Sequence, residues 1–242
     1  IKEAEESTLR IVSSLSDPEK NESFFTKALI VGSVQSGKTA NFNGVINTAI
    51  DSGFKLIIVL SGIMEDLRRQ TQQRIEKEVI GFNKKGVGVK RYNADHINKI
   101  TSDEADFSTT LMNAQTNLHN PSGNILICKK NVSVLRNILI WLEGQKQSEG
   151  ELSIPMLIID DEADNASLNN LGHKRAPEFA TKTNMLIRAI LAMTNRKSYL
   201  GYTATPFANI LQDRNEAGER NYELAFRGTD YSFPLEDNLF PD

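Results

Sequence analysis

The sequence predicts an α/β fold of three layers, with a mostly parallel central sheet between two layers of helices. Three observations predict it. Short apolar runs, "KALIVGS", "FKLIIVLSG", "NILICKK", "PMLIIDDEAD" and "SYLGYTATP", are β-branched and nearly continuous, as strands buried on both faces must be. Helical patterns separate these runs, and strand–helix alternation builds parallel sheets. With 242 residues, 39% of them hydrophobic and 24% charged, the chain can bury a sizeable core in one large domain or two small ones.

In chain order, residues 1 to about 23 read as a polar helical lead-in that stops near "SDPEKNES". Helices are expected over Lys38 to about Ile50, Glu65 to Val79, Val132 to Glu143 and Asn184 to Met193. A weaker strand is expected in "GVGVKRY". The main domain is expected over residues 24–210, with residues 211–242 starting a linker. The least ordered segments are expected at Asn93 to Ser108, Gly144 to Ser153, Asn169 to Phe179 and from Asp213 onward. Trp141 is expected to pack on the sheet, and Cys128 to be a small core residue rather than a nucleophile.

The bulk numbers exclude several classes. A net charge of −3 is too near neutral to argue nucleic-acid binding, so any basic surface must be local. A single cysteine excludes a disulfide framework and a cysteine zinc cluster, and points to a reducing, cytoplasmic setting. No apolar run approaches the roughly 20 residues that a membrane span needs, and no signal peptide is visible. His96, His119 and His173 are scattered without metal-ligand spacing. No Ser-His-Asp, Cys-His or nuclease carboxylate set can be assembled. The chain starts at Ile1 and stops at "NLFPD", which reads as a piece of a longer protein.

The segment Gly32, Ser33, Val34, Gln35, Ser36, Gly37, Lys38, Thr39 fits G-x-x-x-x-G-K-[ST] at every fixed position. It follows a strand candidate and opens a helix candidate, the two flanks the motif requires. Gly32 and Gly37 permit backbone angles that let successive N–H groups curl around phosphate oxygens. The new helix aims its positive end at the same anion. Lys38 is expected to bridge the β- and γ-phosphates of ATP, and the Thr39 hydroxyl to bind Mg²⁺.

"MLIIDDEAD" is an apolar strand ending in carboxylates. Asp161 is assigned to the metal and Glu162 to the general base that takes a proton from the attacking water. Asp160 is the rival for the metal role, because one residue of register separates the two aspartates. Asp164 is expected to couple this strand end to Thr203 and Thr205 in "SYLGYTATPFAN", a further buried strand ending in small hydroxyl residues.

The order of phosphate loop, "DEAD" and "TAT" resembles the first RecA-like domain of superfamily 2 helicases, whose third motif reads Ser/Thr-Ala-Thr. The resemblance covers about residues 24–210. It implies a P-loop NTPase using ATP and Mg²⁺, with Gly32, Gly37, Lys38 and Thr39 as motif I, Asp161 to Asp164 as motif II, and Thr203 to Thr205 as motif III. "VGSVQSGKTANFNGVI", "LIIDDEADNAS" and "GYTATPFANI" further resemble bacterial proteins that join such an ATPase to an endonuclease-type domain called Z-one, found in restriction-like defence settings. That resemblance implies duplex DNA as partner, and a second RecA-like domain and a nuclease region outside these residues.

The segment "SGIMEDLRRQTQQRI" occupies the place of a nucleic-acid-contacting segment in that family. Arg68, Arg69, Gln70 and Arg74 are its candidate phosphate contacts. An amphipathic surface helix with Leu67, Thr71 and Ile75 on its inner face is the equal alternative. Lys129, Lys130 and Arg136 form a second candidate, for which solvated charge is the better reading. Phe24 and Phe25 are offered for adenine stacking, but the glutamine of the DEAD-box adenine-reading segment is absent. Without the arginine fingers of a second domain, worth a factor of roughly 10³ or more, the chain alone is expected to bind nucleotide weakly and hydrolyse it hardly at all. A nucleotide-gated switch or scaffold without strand movement is the alternative function.

Overall fold

The computed structural model describes residues 2–31, 38–81, 97–112, 118, 123–146, 150, 152–163 and 176–203. Six strands form one sheet: β1 (Phe24–Val31), β2 (Leu56–Ser61), β3 (Ile97–Lys99), β4 (Gly123–Cys128), β5 (Met156–Asp161) and β6 (Arg196–Thr203). Their order is β1-β6-β5-β2-β4-β3, and every pair is parallel. All the strands therefore end at the same rim. The three-layer α/β/α fold expected from the alternation is the observed one, with the sheet wholly rather than mostly parallel among the described strands.

The near-continuous apolar runs divide by parity. Leu56, Ile58, Leu60, Leu126, Cys128, Met156, Ile158 and Tyr199 point into one core. Ile57, Val59, Ile125, Ile127, Leu157, Ile159, Leu200 and Tyr202 point into the other. Successive strand side chains face opposite ways, so a run that is apolar at every position needs cover on both faces. The first core is closed by α5 (Val132–Gly144) and α6 (Ala176–Ala192). Trp141 of α5 is buried there with its ring centroid 5.3 Å from that of Phe107. The second core is closed by α2 (Lys38–Asp51) and by the end of α3 (Glu65–Ile75).

Helix α1 (Lys2–Ser13) lies on α2. Their approach is close at Gly44, where a Cβ would stand 2.7 Å from Thr8 Oγ1. Beyond α1, Leu15 joins the second core, and Arg196 donates to the carbonyls of Pro18, Lys20 and Ser153. Asn131 caps α5, its Oδ1 accepting from the Val134 N–H at 2.9 Å.

Several expectations need correction. The strand expected in "GVGVKRY" lies outside the described residues. The segment expected to be least ordered, Asn93 to Ser108, contains β3, the short helix α4 begins just after it (Thr109–Met112), and Thr101 and Phe107 are buried. Long-range bonds hold this segment: the Thr101 hydroxyl accepts the Ile127 N–H at 2.9 Å, and its carbonyl accepts from Gln72. No local apolar pattern announces such ties. Leu152, also in a segment expected to be loose, is buried and donates its N–H to Met193 O at 2.7 Å. Helix α6 starts at Ala176, two turns before the expected Asn184, with Pro177 in the first turn where a missing N–H costs nothing. The helix expected to reach Val79 changes after Ile75 into a π-helical turn, Glu76–Ile80, closed by Gly81 at φ 79°.

Candidate active site

The strand order sets the strands that lead into the three sequence motifs side by side, ending at one stretch of rim. β6 lies between β1 and β5. In register, Val31 of β1 is opposite Thr203, and Asp161 of β5 is opposite Tyr202. Two sheet spacings, about 10 Å, therefore separate the strand entering the glycine-rich segment from the strand carrying the carboxylates. Residues 32–37 lie outside the described residues, as do Asp164 and Thr205; Lys38 and Thr39 are described as the start of α2 without their side chains.

The first turn of α2 is tied to β6. The Tyr202 hydroxyl bonds Asn41 Oδ1 at 3.1 Å, and the Phe42 ring meets Tyr202 edge-on at 5.6 Å. Burial, then the Asp161 charge, pushes the Tyr202 hydroxyl well above its usual range. The start of α2, a helix of 14 residues, thus stands next to the Asp161 strand tip.

Strand parity separates the two aspartates that the sequence left as rivals. Asp160 faces the α5–α6 side with Met156 and Ile158, and it is fully buried. Its Oδ1 pairs with Lys130 Nζ at 2.8 Å, and its Oδ2 accepts from the Tyr199 hydroxyl at 2.6 Å. Asp161 faces the α2 side with Leu157 and Ile159 and is half-buried. Its Oδ1 accepts the Glu162 N–H at 3.1 Å. Burial, and next the adjacent Glu162 charge, push the Asp161 carboxyl up, against the pull of Lys130 and of that N–H.

Glu162 is exposed and adopts φ 57°, left-handed backbone that a residue with a side chain rarely takes. The chain leaves the sheet there, and Ala163 N–H returns to Tyr202 O at 2.8 Å. Gly62, at the end of β2, has φ 44°; a Cβ on it would stand 3.4 Å from Glu162 Oε2. Asp161 thus projects at the rim from the face that also carries the α2 start, and its carboxylate oxygen is the type of ligand a hard divalent cation bound with phosphates takes.

The basic candidates divide sharply. Arg68 is fully buried: Nε donates to Glu65 Oε1 at 2.8 Å, Nη1 to Ser102 O at 2.8 Å and Nη2 to Asp103 O at 3.1 Å. It is not a surface phosphate contact, because its donors are used inside the fold. With Gln72 it forms the inner face of α3, which is polar here because it grips the backbone of residues 101–103. Leu67, expected on that inner face, is exposed, and Thr71 is half-buried. Arg69, Gln70 and Arg74 are exposed. Lys130, read from the sequence as solvated charge, is fully buried. Phe24 and Phe25 belong to the start of β1, at the rim opposite the motifs, where Phe24 meets Phe54 edge-on at 6.4 Å; neither is available to stack on a base bound at the motif rim. Cys128 is buried, which pushes its thiol well above its usual range and leaves it unreactive. The three histidines lie outside the described residues.

Sequence reasoning missed Tyr199 and Tyr202, and it placed Lys130 in solvent rather than in the core. One signal was present: "IIDD" puts two aspartates in a strand buried on both faces, so one of them must face a core and needs a cation.

No protein-family model matches the chain, and no curated protein matches it. A similar solved structure is described as "Structure of Mss116p (NTE and C-tail double deletion) bound to ssRNA and AMP-PNP"; it is 16% identical at a TM-score of 0.43. That match covers 85% of this chain and 38% of the other, so the chain spans well under half of that protein's length. Among the described residues, no helix is long and apolar enough to cross a membrane.

Proposed function

We propose that this chain is the ATP-binding, RecA-like first domain of a helicase-like, nucleic-acid-dependent ATPase. The observation that carries the reading is the β1-β6-β5 register, in which Val31, Thr203 and Asp161 end side by side beneath the first turn of α2. In this reading residues 32–39 wrap the phosphates of ATP with main-chain N–H groups, and Lys38 contributes a point charge. Thr39 and Asp161 hold Mg²⁺, which when bound neutralises charge on the phosphate oxygens. Glu162 accepts the proton of the attacking water. Asp164, Thr203 and Thr205 couple the nucleotide site to the rest of the motor.

Arg69, Gln70 and Arg74 are the nucleic-acid contacts that remain after Arg68 is removed from the set. Their exposure on α3, the helix that leaves the rim beside Gly62, supports that role. Duplex DNA as substrate, a second RecA-like domain and a Z-one-type nuclease region belong to the finer proposal, which rests on the sequence resemblance of the three motif segments.

The test is ATP hydrolysis by the full-length protein with and without DNA or RNA, comparing wild type with Lys38→Ala and Glu162→Gln. The expected result is stimulation by nucleic acid, lost nucleotide binding in Lys38→Ala, and retained binding with turnover reduced to a small residual rate in Glu162→Gln. A slow rate indifferent to nucleic acid would instead identify a nucleotide-gated switch.

A further inference from the structure

We infer that Lys130 is a positioning residue for the Glu162 turn, an assignment that rests on the ATPase reading above. Three oxygens lie within hydrogen-bond distance of its Nζ, as many as an ammonium has N–H donors: Asp160 Oδ1 at 2.8 Å, Asp161 O at 2.8 Å and Glu162 O at 2.6 Å. Two of the three are main-chain carbonyls of the residues proposed to hold the metal and to accept the proton. The backbone leaves the sheet at this point, and Glu162 is held at φ 57°, a conformation that persists only when its surroundings impose it.

The ion pair beneath the turn is fully buried on both sides. Such a pair is weak evidence for stability, because the cost of stripping water from both charges offsets their attraction. Its geometric consequence is plain. Tyr199 fixes the Asp160 carboxylate through Oδ2, Asp160 fixes the ammonium, and the ammonium fixes both carbonyls. The Lys130 main chain meanwhile donates to Gly62 O at 2.8 Å, tying the end of β2 to the same point. Gly62 is also the residue against which the Glu162 carboxylate lies. One buried lysine therefore sets the backbone from which the proposed base projects and holds the loop it projects over, while touching no substrate itself.

The test uses the full-length ATPase. The variant Lys130→Met/Asp160→Leu/Tyr199→Phe replaces the polar cluster by apolar groups of similar volume, so that none of the three is left facing the gap of a removed partner. Folding is checked by circular dichroism and thermal melting, and nucleotide binding by a fluorescent ATP analogue. The expected result is a kcat lowered about tenfold or more, with the analogue Kd within about threefold of wild type. In a Glu162→Gln background the same three substitutions should lower the residual rate no further, because Lys130 acts through Glu162; a general packing defect would lower both. Tyr199→Phe alone, which loses one hydroxyl, should lower kcat severalfold at unchanged KM, and it decides the question should the triple variant not fold. Wild-type kcat in a folded triple variant, or in Tyr199→Phe if that variant must decide, overturns the positioning role alone. Absence of ATP hydrolysis in the wild type overturns the ATPase reading and this inference with it.

Discussion

Val31 lies directly opposite Thr203 in the β1–β6 register, so the chain enters the glycine-rich segment one residue past the level at which β6 ends. Next to it, Tyr202 is opposite Asp161 and bonds Asn41 of α2. Tyr202 is thus the joint between α2 and the carboxylate-bearing strand β5. Tyr202→Phe keeps the ring against Phe42 and removes the hydroxyl. It should cost about 1 kcal/mol of stability, the worth of one hydrogen bond. Denaturant melts measure this. No change in stability would mean that α2 is held without that bond.

Arg68 and its exposed neighbours should respond in opposite ways. Arg68→Ala removes the donors that satisfy Ser102 O and Asp103 O and takes one of the two cations from Glu65, leaving it only Lys129, for a cost of about 3 kcal/mol. Arg69→Ala and Arg74→Ala should stay within about 0.5 kcal/mol of wild type. In the full-length protein each of the latter should weaken nucleic-acid binding and lower the salt slope by about 1. Unchanged salt slopes would remove α3 from the nucleic-acid surface.

Gly201 lies under the Glu162 turn. A Cβ there would stand 3.0 Å from Ala163 Cβ and 3.2 Å from Leu29 Cδ1. Gly201→Ala should therefore cost about 1–2 kcal/mol through overpacking. By displacing Ala163 it should also reduce kcat about tenfold while sparing nucleotide affinity. Steady-state kinetics beside analogue binding separates the two effects. A parallel loss of affinity would show that the disturbance spreads to the phosphate loop.

The Asp161 carboxyl is held above its ordinary value of 3.8, first by burial and then by Glu162. A carboxyl raised in the folded state favours folding fully below the unfolded pKa, and that contribution is lost as pH rises through the folded pKa. At neutral pH the buried charge is a liability. Asp161→Asn should then melt above wild type in EDTA at pH 7.5, with the gap closing as pH falls toward the ordinary carboxylate range. A gap that is constant with pH, or reversed, would contradict the assigned direction.

Much of this molecule was legible in one dimension. Parity in "LIIVLS", "NILIC" and "MLIID" demands a sheet covered on both faces, and alternation with helices demands that it be parallel, because local burial pattern is a property of consecutive residues. The carboxylate-bearing strand tip was legible for the same reason. What the sequence left undecided was which of two adjacent aspartates faces α2, and whether Arg68 and Lys130 meet solvent or the core. Those answers depend on partners 30 to 35 residues away, Asp160 for Lys130 and the carbonyls of Ser102 and Asp103 for Arg68. A charged side chain carries no local mark of burial. Only the tertiary structure supplies the opposite charge and the carbonyl oxygens that make burial possible.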